Sequence, residues 1–476
     1  MQIDSDLQNN LDTLKKTLGQ NDDMMFYTFA FGDSRQKACL LYIDGLTENK
    51  MLAQYVISPL QKEALAHKES SIEDLSAFFF GFHHSVVSTM KEIEQLVFSG
   101  QAILLADGYR GGLAFDTKSV ATRSLDEPSS EVVECGPKIG FIEKLRTNTA
   151  LLRLVIKEMT LGKRTKKKIA VAYIQDIAPD YVVKEVFKRL KSVNIDNLPE
   201  SGTLEQLIED EPFSIFPTIL STERPDRVEA ALLEGRVSIL VDDTPFALIV
   251  PATVDEFIHS PDDYSQRWIP MSLVRLLRYS SILITIYLPG LYISLVSFHT
   301  GLLPTRMAIS IAGSRLNVPF PPFIEAFIMI FTIDLIREAG LRLPKPIGQT
   351  IGLIGGVVIG QAAVQAQIVS ALMVIVVSVT ALASFTVPSY AYNFPLRIIR
   401  IGVMISATAL GMYGVIMVYL FVIGHLMRLK SFGQDYIIPI MAQPGQDLKD
   451  TVIRIPTMFL KRRPTRNDPE DNIRQR

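Results

Sequence analysis

The chain has 476 residues, enough for two or more domains at about 100–200 residues each. Its 48 basic and 50 acidic side chains give a formal net charge of −2, so the composition offers no reason to expect nucleic-acid binding. Two cysteines, Cys39 and Cys135, cannot form the dense disulfide framework of a small secreted protein.

The chain begins with a polar and acidic segment, Met1-Gln2-Ile3-Asp4-Ser5-Asp6. A secretory signal would need basic residues followed by an apolar run, so we expect the first half of the chain to remain in the cytosol. Residues 1–19 are predicted to form an N-terminal tail.

Two segments in the first half resemble each other. Residues 38–44 are similar to 169–175, and 100–107 to 235–242, at offsets of 131 and 135 residues. Each copy has an apolar β-rich run, a helical stretch (about 47–66 and 179–193) and a strand that follows a glycine. We therefore predict a cytosolic N-terminal domain of two tandem related α/β subdomains, at 20–116 and 165–255.

The segment between the two copies, 117–164, is predicted to be a connector that ends in an amphipathic helix. Several prolines and glycines restrict its backbone, and Asn148 is placed to cap the helix. A docking surface for a neighbouring subunit is the other interpretation of this segment.

Arg224 and Asp226 flank Pro225 at the start of a predicted helix in the second subdomain. An ion pair or a helix cap at this point would hold that subdomain together. We therefore expect these two residues to be domain-stabilising rather than catalytic.

The second half of the chain contains long uncharged stretches, and a membrane helix needs about 20 mostly apolar residues. After a juxtamembrane segment at 256–278, the sequence predicts an α-helical polytopic membrane bundle over 279–426. Its spans are expected at about 279–298, 347–365, 368–387 and 402–426.

The orientation of the bundle follows from its flanking basic residues. Arg267, Arg275 and Arg278 precede the first span, and residues 427–476 form a basic tail. Four crossings place both ends of the chain in the cytosol. Five crossings stay open, because they would bring Arg337, Arg342 and Lys345 to the inner side.

A fifth apolar stretch, 319–336, contains Glu325 and Asp334. Carboxylates inside a membrane are costly and are usually functional. These two lie nine residues apart, on opposite sides of an α-helix, so they are not expected to form one proton path. A re-entrant or interfacial helix is the preferred prediction here.

The expected span 347–365 carries a stripe of small residues. Gly352, Gly356 and Gly360 fall on one helix face, and Gln361 and Gln365 lie near its end. Such a stripe allows close approach between membrane helices. The face either packs within the chain or contacts other copies around an oligomeric pore.

The sequence contains no phosphate-binding loop, no H-E-x-x-H pair and no histidine cluster with metal-ligand spacing. No catalytic, cofactor or metal site is therefore predicted, and the chain is not expected to be an enzyme.

Several longer motifs, taken together, resemble the GerA family. They occur in the same order over about 120–440 and include Phe213-Ser214-Ile215-Phe216-Pro217, Thr222-Glu223-Arg224-Pro225-Asp226, Asn317-Val318-Pro319-Phe320-Pro321-Pro322 and Ala383-Ser384-Phe385-Thr386-Val387-Pro388. The first 110 residues resemble the family only weakly.

The resemblance implies the A subunit of a nutrient-germinant receptor in the inner membrane of the bacterial endospore. It also implies a transporter-like B subunit, a lipoprotein C subunit and a role in converting nutrient binding into ion release. A homo-oligomeric ion channel fits the glycine stripe. The alternatives are a secondary transporter acting alone and the related accessory protein of the dipicolinate-release channel.

Overall fold

The computed structural model describes residues 3–18, 24–31, 36–44, 47, 51–62, 72–77, 79, 84–98, 100–117, 128, 131, 139–152, 156–342, 359–437, 450–464 and 467–475. Both described five-stranded sheets lie in the N-terminal half, and long helices make up most of the C-terminal half. This division agrees with the one predicted from the sequence.

Lobe 1 is an α/β unit that begins near the N-terminus. Its helices are α1 (Leu7–Leu18), a π-helical turn (Leu52–Ile57) that continues into α2 (Ser58–Lys62), α3 (Ile72–Ala77) and α4 (Met90–Phe98). Its strands are β1 (Met24–Phe31), β2 (Gln36–Ile43), β3 (His84–Val87), β4 (Ala102–Ala106) and β5 (Gly112–Phe115).

Lobe 2 repeats this order of elements. Its helices are α5 (Leu145–Leu152), α6 (Asp180–Ser192), α7 (Ser201–Ile208) and α8 (Pro225–Leu233). Its strands are β6 (Ile156–Leu161), β7 (Lys167–Ala172), β8 (Leu220–Thr222), β9 (Val237–Val241) and β10 (Ala247–Val250). The predicted helix at 179–193 is confirmed by α6.

The two sheets share strand order and register. The order is β1-β2-β4-β5-β3 in lobe 1 and β6-β7-β9-β10-β8 in lobe 2. Ala38 pairs with Ala106, and Ile169 pairs with Val241 at the positions that the two sequence offsets make equivalent. This is the topology that a duplicated unit requires.

The repeated glycine has a backbone role in both lobes. Gly100 and Gly235 each follow a helix and precede a strand, with φ of 87° and 92°. Side chains other than glycine rarely adopt this left-handed conformation, which commonly ends a helix. The sequence similarity at these two points therefore reflects the same turn.

The structure moves two of the predicted lobe boundaries. Residues 7–18, expected in a tail, form α1, and Leu7, Leu11 and Leu14 are buried in the core of lobe 1. An apolar residue at every third or fourth position gives this helix one side that packs on the sheet. Likewise, α5 and β6, placed in the connector, are the first elements of lobe 2.

Asn148 does not cap a helix, which corrects the sequence prediction. It lies inside α5, where it is buried. Its side-chain Oδ1 accepts a hydrogen bond from the Ile142 amide at 2.9 Å, and its amide donates to the Ile142 carbonyl. Asn148 thus fixes the chain before the helix by closing a loop.

The C-terminal half contains six labelled helices after the short α9 (Asp262–Ser265). They are α10 (Trp268–Ser297), α11 (Thr305–Arg315), α12 (Pro322–Arg342), α13 (Ala371–Phe385), α14 (Tyr390–Leu410) and α15 (Met412–Arg428), and residues 359–365 are also helical. Among the described residues, α10 and α14 are long and apolar enough to cross a membrane, while α13 and α15 are apolar but shorter.

Close contacts fix the directions of these helices. Gly290 of α10 lies against Val403 of α14, and the end of α10 at Phe298 lies against Gly411, so α10 and α14 run the same way. Tyr287 contacts Tyr419 at a ring-centroid distance of 5.9 Å, and α15 therefore runs back alongside α10.

Two helices differ from their predicted extents. The expected span 402–426 is divided at Gly411, whose φ is 60°, and Gly414 then lies against the Ser406 carbonyl as the chain reverses. The expected interfacial helix at 319–336 is α12, a 21-residue helix that packs along α13. Residues 347–358 of the expected span 347–365 lie outside the described part of the chain.

Lobe 2 and the helices share one hydrophobic core. Phe216 contacts Tyr392 of α14 at a ring-centroid distance of 5.8 Å, and Phe257 stacks on the same ring at 5.7 Å. The buried cluster runs from Phe141 in lobe 2 through this contact into α10, α12, α13 and α14. We refer to the end of the bundle near Tyr392 as the junction end.

The described part of the C-terminal tail lies on lobe 2 and on α10. The Glu470 amide donates to the Ile177 carbonyl at 3.0 Å, and the Arg463 guanidinium donates to the Leu233 carbonyl at 2.7 Å. Residues 450–464 and 467–475 are therefore attached to the lobe that precedes the bundle and to α10.

Candidate functional site

The predicted glycine face is only partly described. Gly352 and Gly356 lie outside the described residues. Gly360 is buried, and a Cβ added to it would meet Val374 of α13 at 3.7 Å. Gln361 and Gln365 are exposed. The last turn of this helix thus packs within the chain through glycine and presents its amides outward.

Glu325 is fully buried near the end of the bundle opposite the junction. Arg315 of α11 lies 2.9 Å from its Oε1 atom, and the Ser370 amide donates to Oε2 at 2.9 Å. Ser370 caps α13, so the carboxylate lies at the positive end of that helix. The Glu325 side chain therefore links α12 to α11 through an ion pair and to the start of α13 through a hydrogen bond.

Asp334 lies on another face of α12, nearer the junction end. Arg400 of α14 donates to its Oδ2 atom at 2.8 Å, and the Nε atom of Arg397 is 3.9 Å from Oδ1. Glu325 and Asp334 therefore have different partners, as their nine-residue spacing predicts.

Arg224 and Asp226 form a two-point ion pair at the start of α8. The Nε and Nη2 atoms of Arg224 donate to the two carboxylate oxygens of Asp226 at 3.0 and 2.7 Å. The Arg224 side chain is 1% exposed and that of Asp226 is 27% exposed, so the pair is partly buried. The expected stabilising role of the two residues stays a prediction.

A denser network of charges surrounds this pair. Arg227 pairs with Glu131 of the connector and also donates to the Glu256 carbonyl, while Arg236 pairs with both Glu234 and Glu256. These contacts join α8, the connector and the segment that leads into α10. The start of α8 is therefore attached to its surroundings through several guanidiniums.

The junction between α9 and α10 is centred on Asp263, which is fully buried. Arg275 and Arg278 of α10 donate to its carboxylate at 2.9 and 2.8 Å. Arg275 also bonds Asp450 at 2.9 Å, and Arg454 donates to backbone carbonyls in the α9 segment. One carboxylate thus connects the start of α10 with the C-terminal tail.

Two of the arginines that precede the expected first span lie in this junction. Arg275 and Arg278 are 0% and 8% exposed and pair with Asp263. Their spacing of three residues places them on one helix face, which signals a shared partner. Sequence alone did not identify Asp263 as that partner.

A cavity of about 380 Å³ opens beside this network, between lobe 2 and the C-terminal tail. Its lining includes Arg227, Arg236, Glu256, His259 and Arg454. His259 is half-buried, and its Nε2 atom lies 2.8 Å from the Thr451 carbonyl. Burial and the neighbouring Arg275 charge lower the pKa of His259, so the neutral ring donates this bond.

Comparisons with known proteins agree with the expected family. The family described as Bacillus/Clostridium GerA spore germination protein matches residues 12–466. Spore germination protein B1 of Bacillus subtilis (strain 168) is 97% identical, with 100% of both chains covered. Spore germination protein A1 of the same organism is 42% identical over 98% of this chain and 96% of that protein.

Two further relatives come from other species. Spore germination protein GerLA of Bacillus cereus is 37% identical, covering 98% of this chain and 96% of that one. The crystal structure of the N-terminal domain of the A subunit of the Bacillus megaterium spore germinant receptor GerK3 aligns with 53% of this chain and 97% of its own, at 33% identity and a TM-score of 0.42. The predicted family is confirmed: the chain belongs to the GerA family of spore germination proteins.

Proposed function

We propose that this chain is the A subunit of a nutrient-germinant receptor in the inner membrane of the bacterial endospore. In this role it acts with a transporter-like B subunit and a lipoprotein C subunit, and it converts nutrient binding into ion release. The names of its relatives, which are spore germination proteins, support the assignment.

The observation that carries the proposal is the continuous core between lobe 2 and the helices. Phe216, Phe257 and Tyr392 form one aromatic group, and the buried cluster extends from it into four helices of the bundle. Protein interiors are close-packed and transmit strain rather than absorbing it. A displacement of lobe 2 would therefore also displace α14.

A membrane location is supported by the helices themselves. α10 and α14 pass the length and hydropathy requirements for a crossing, and α13 and α15 are apolar. The outer residues of α15 include Tyr413, Met417, Leu420 and Phe421, all more than half exposed. Such a face suits lipid rather than water. We place both chain ends on the cytosolic side, because α10 leaves from lobe 2 and the tail returns to it.

An oligomeric ion path is the more specific part of the proposal. Its supports are the sequence spacing of Gly352 and Gly356 and the exposed amides of Gln361 and Gln365, whereas Gly360, the third glycine of the stripe, packs against Val374 within the chain. Gly356→Leu should block assembly or ion release, whereas Val358→Leu should be mild, because the spacing places Val358 on another face. Oligomer mass in detergent and potassium release from spores test this, and wild-type behaviour of Gly356→Leu in both would remove the pore.

The coupling itself is tested by Phe216→Ala in spores whose other germinant receptors have been deleted. We expect nutrient-triggered potassium release to fall at least about tenfold at normal receptor abundance, because the contact with Tyr392 is lost. Phe216→Leu, which keeps most of the volume, should restore part of the release. Purification in mild detergent should recover the B and C partners with both variants.

The matched control is Phe79→Ala in lobe 1. Phe79 is equally buried and packs on Phe115 at a ring-centroid distance of 4.7 Å, but it belongs to a core confined to lobe 1. Normal ion release by Phe216→Ala at normal abundance would contradict the proposal. Recovery of the chain without any partner would favour a transporter acting alone.

A further inference from the structure

Three arginines meet near the junction end of the bundle. Arg337 of α12 and Arg397 and Arg400 of α14 surround Asp334, and Arg337 donates to Ser384 at the end of α13 at 2.5 Å. Arg400 is 3% exposed, and Arg397 retains 17% exposure of its side chain. We call these three residues the arginine cluster.

The arginine cluster has more positive charge than its carboxylate neighbours neutralise. Asp334 contributes one negative charge, and Glu338, one turn further along α12, is exposed. Even if both carboxylates are counted, one positive charge remains. A guanidinium in an apolar environment is costly unless an anion accompanies it.

The bonding of the arginine cluster is also incomplete. The Nε atoms of Arg337, Arg397 and Arg400 are buried and have no hydrogen-bond partner among the described residues. A guanidinium offers five donors in a planar fork, which matches the oxygens of a carboxylate or a phosphate. Three guanidiniums grouped around one carboxylate, with Arg397 partly exposed, suit an anion with several oxygens.

Aromatic side chains surround the arginine cluster on its outer side. Phe385 lies over the Arg337 guanidinium at 4.2 Å, and Phe394 lies under that of Arg397 at 5.5 Å. Phe385, Phe394 and Tyr390 are 64%, 46% and 46% exposed. Exposed aromatic rings at the end of a membrane helix are typical of the boundary between lipid and water.

We propose that the arginine cluster binds the phosphate of an anionic membrane phospholipid at the junction end. The guanidiniums of Arg337 and Arg397 hold the phosphate oxygens, and the exposed rings contact the glycerol and the first part of the acyl chains. Basic pockets between membrane helices on the cytosolic side recognise such headgroups. This inference rests on the proposed membrane location.

The site lies where it could influence the coupling described above. Arg397 is five residues beyond Tyr392 on α14, so a lipid held there contacts the helix on which lobe 2 packs. α12 meets α14 here through Asp334 and Arg400, and it meets α13 through Arg337 and Ser384. Bound lipid would therefore fasten three helices together at their junction ends.

The test uses the purified full-length chain in detergent, with thermal unfolding as the readout. Phosphatidylglycerol should raise the unfolding temperature saturably, whereas phosphatidylcholine and inorganic phosphate should not. Arg397→Ala should weaken the apparent affinity for phosphatidylglycerol at least about tenfold, and Arg397→Lys should restore it only partly because the planar fork is lost. Arg428→Ala is the control, since Arg428 is an exposed basic residue at the same end of the bundle.

Equal response to phosphatidylglycerol and phosphatidylcholine, or an unchanged affinity in Arg397→Ala, would overturn the proposal. Saturation by inorganic phosphate alone would overturn the lipid assignment and indicate a soluble anion. Carbonate extraction of membranes that contain the chain tests the membrane location separately from the arginine-cluster site. Release of the chain would refute the membrane location, whereas retention without lipid preference would refute the arginine-cluster site only.

Discussion

The two lobes have one topology and two different surroundings. In lobe 1 the sheet face that carries Cys39, Leu41 and Ile103 is covered by α1 and α4, whose outer sides expose polar residues such as Asp12, Lys15, Lys16, Lys91 and Glu92. In lobe 2 the equivalent face, with Ala170, Ala172 and Leu240, belongs to the core that continues into the bundle. The two lobes therefore share one fold, but different parts of the chain cover the equivalent face of each sheet.

This difference suggests a division of roles. The described cores of lobe 1 contain only residues from lobe 1, whereas both cores of lobe 2 include residues that follow the bundle, Phe432 in one and Tyr436 in the other. Lobe 2 is thus held from three directions: by the connector, by α10 and α14, and by the C-terminal tail. Under the proposed function, lobe 1 is the lobe left to contact partner subunits.

The largest effect is expected from Asp263→Asn at the junction below lobe 2. Among the described residues, the change leaves the buried Arg278 without a carboxylate and leaves Arg275 with Asp450 alone, and breaking a buried pair costs about 3–5 kcal/mol. We expect a large fall in the unfolding temperature and in the yield of folded chain, measured by thermal unfolding in detergent.

The control for this experiment is Asp180→Asn. Asp180 pairs with Lys184 on the exposed side of α6, and such surface pairs contribute about 0–1 kcal/mol. Similar losses of stability in the two variants would mean that burial at Asp263 has little importance.

An intermediate effect is expected from alanine at the repeated glycines. Both Gly100→Ala and Gly235→Ala force a side chain into left-handed backbone, at a cost of about 1–2 kcal/mol. A Cβ at Gly235 would also lie 3.2 Å from Pro469 of the C-terminal tail and 3.1 Å from the Ile177 carbonyl. Gly235→Ala should therefore destabilise more and increase proteolysis of the tail, and equal effects on tail protection would contradict the contact.

The smallest effect concerns the pH dependence of lobe 2. Burial, reinforced by the charge of Glu209, raises the pKa of Glu205 from 4.5 to about 7. The folded lobe therefore binds more protons than the unfolded chain between these values, and stability falls as the pH rises through that range. Glu205→Gln should raise the unfolding temperature at pH 8 and change it little at pH 4.5.

Glu185 provides a control of opposite sign in the same lobe. Hydrogen bonds from Lys188 and Arg189 lower the pKa of Glu185, so its contribution to stability is present above pH 4.5 and is lost as the pH falls further. Glu185→Gln should lower the unfolding temperature at pH 8. Changes of the same sign in both variants would argue against these assignments.

Sequence reasoning located the repeat because strands and left-handed glycines leave a local signal. The offsets of Tyr42 to Tyr173 and of Gly100 to Gly235 match the register of the two sheets. It missed α1 because twelve mostly polar residues at a chain end resemble a tail. Their three buried leucines are recognisable only at helical spacing.

The helical half was harder to predict because hydropathy does not report partners or turns. Gly411 resembles any glycine tolerated in a membrane helix, but its φ of 60° reverses the chain and divides one expected span into two helices. Arg275 and Arg337 likewise count as charges in a sequence window, although one pairs with a buried aspartate and the other lies over an aromatic ring. In each case the partner of the arginine lies on another helix: Asp263 on α9 and Phe385 on α13.

The central claim, that lobe 2 is coupled to the bundle and lobe 1 is not, is tested most directly by amide hydrogen exchange in the full-length chain. Exchange reports local opening of each strand separately. With Tyr392→Ala in α14, we predict faster exchange in β8 and β10 of lobe 2 and unchanged exchange in β2 and β4 of lobe 1. Unchanged exchange in lobe 2, or equal acceleration in both lobes, would contradict it.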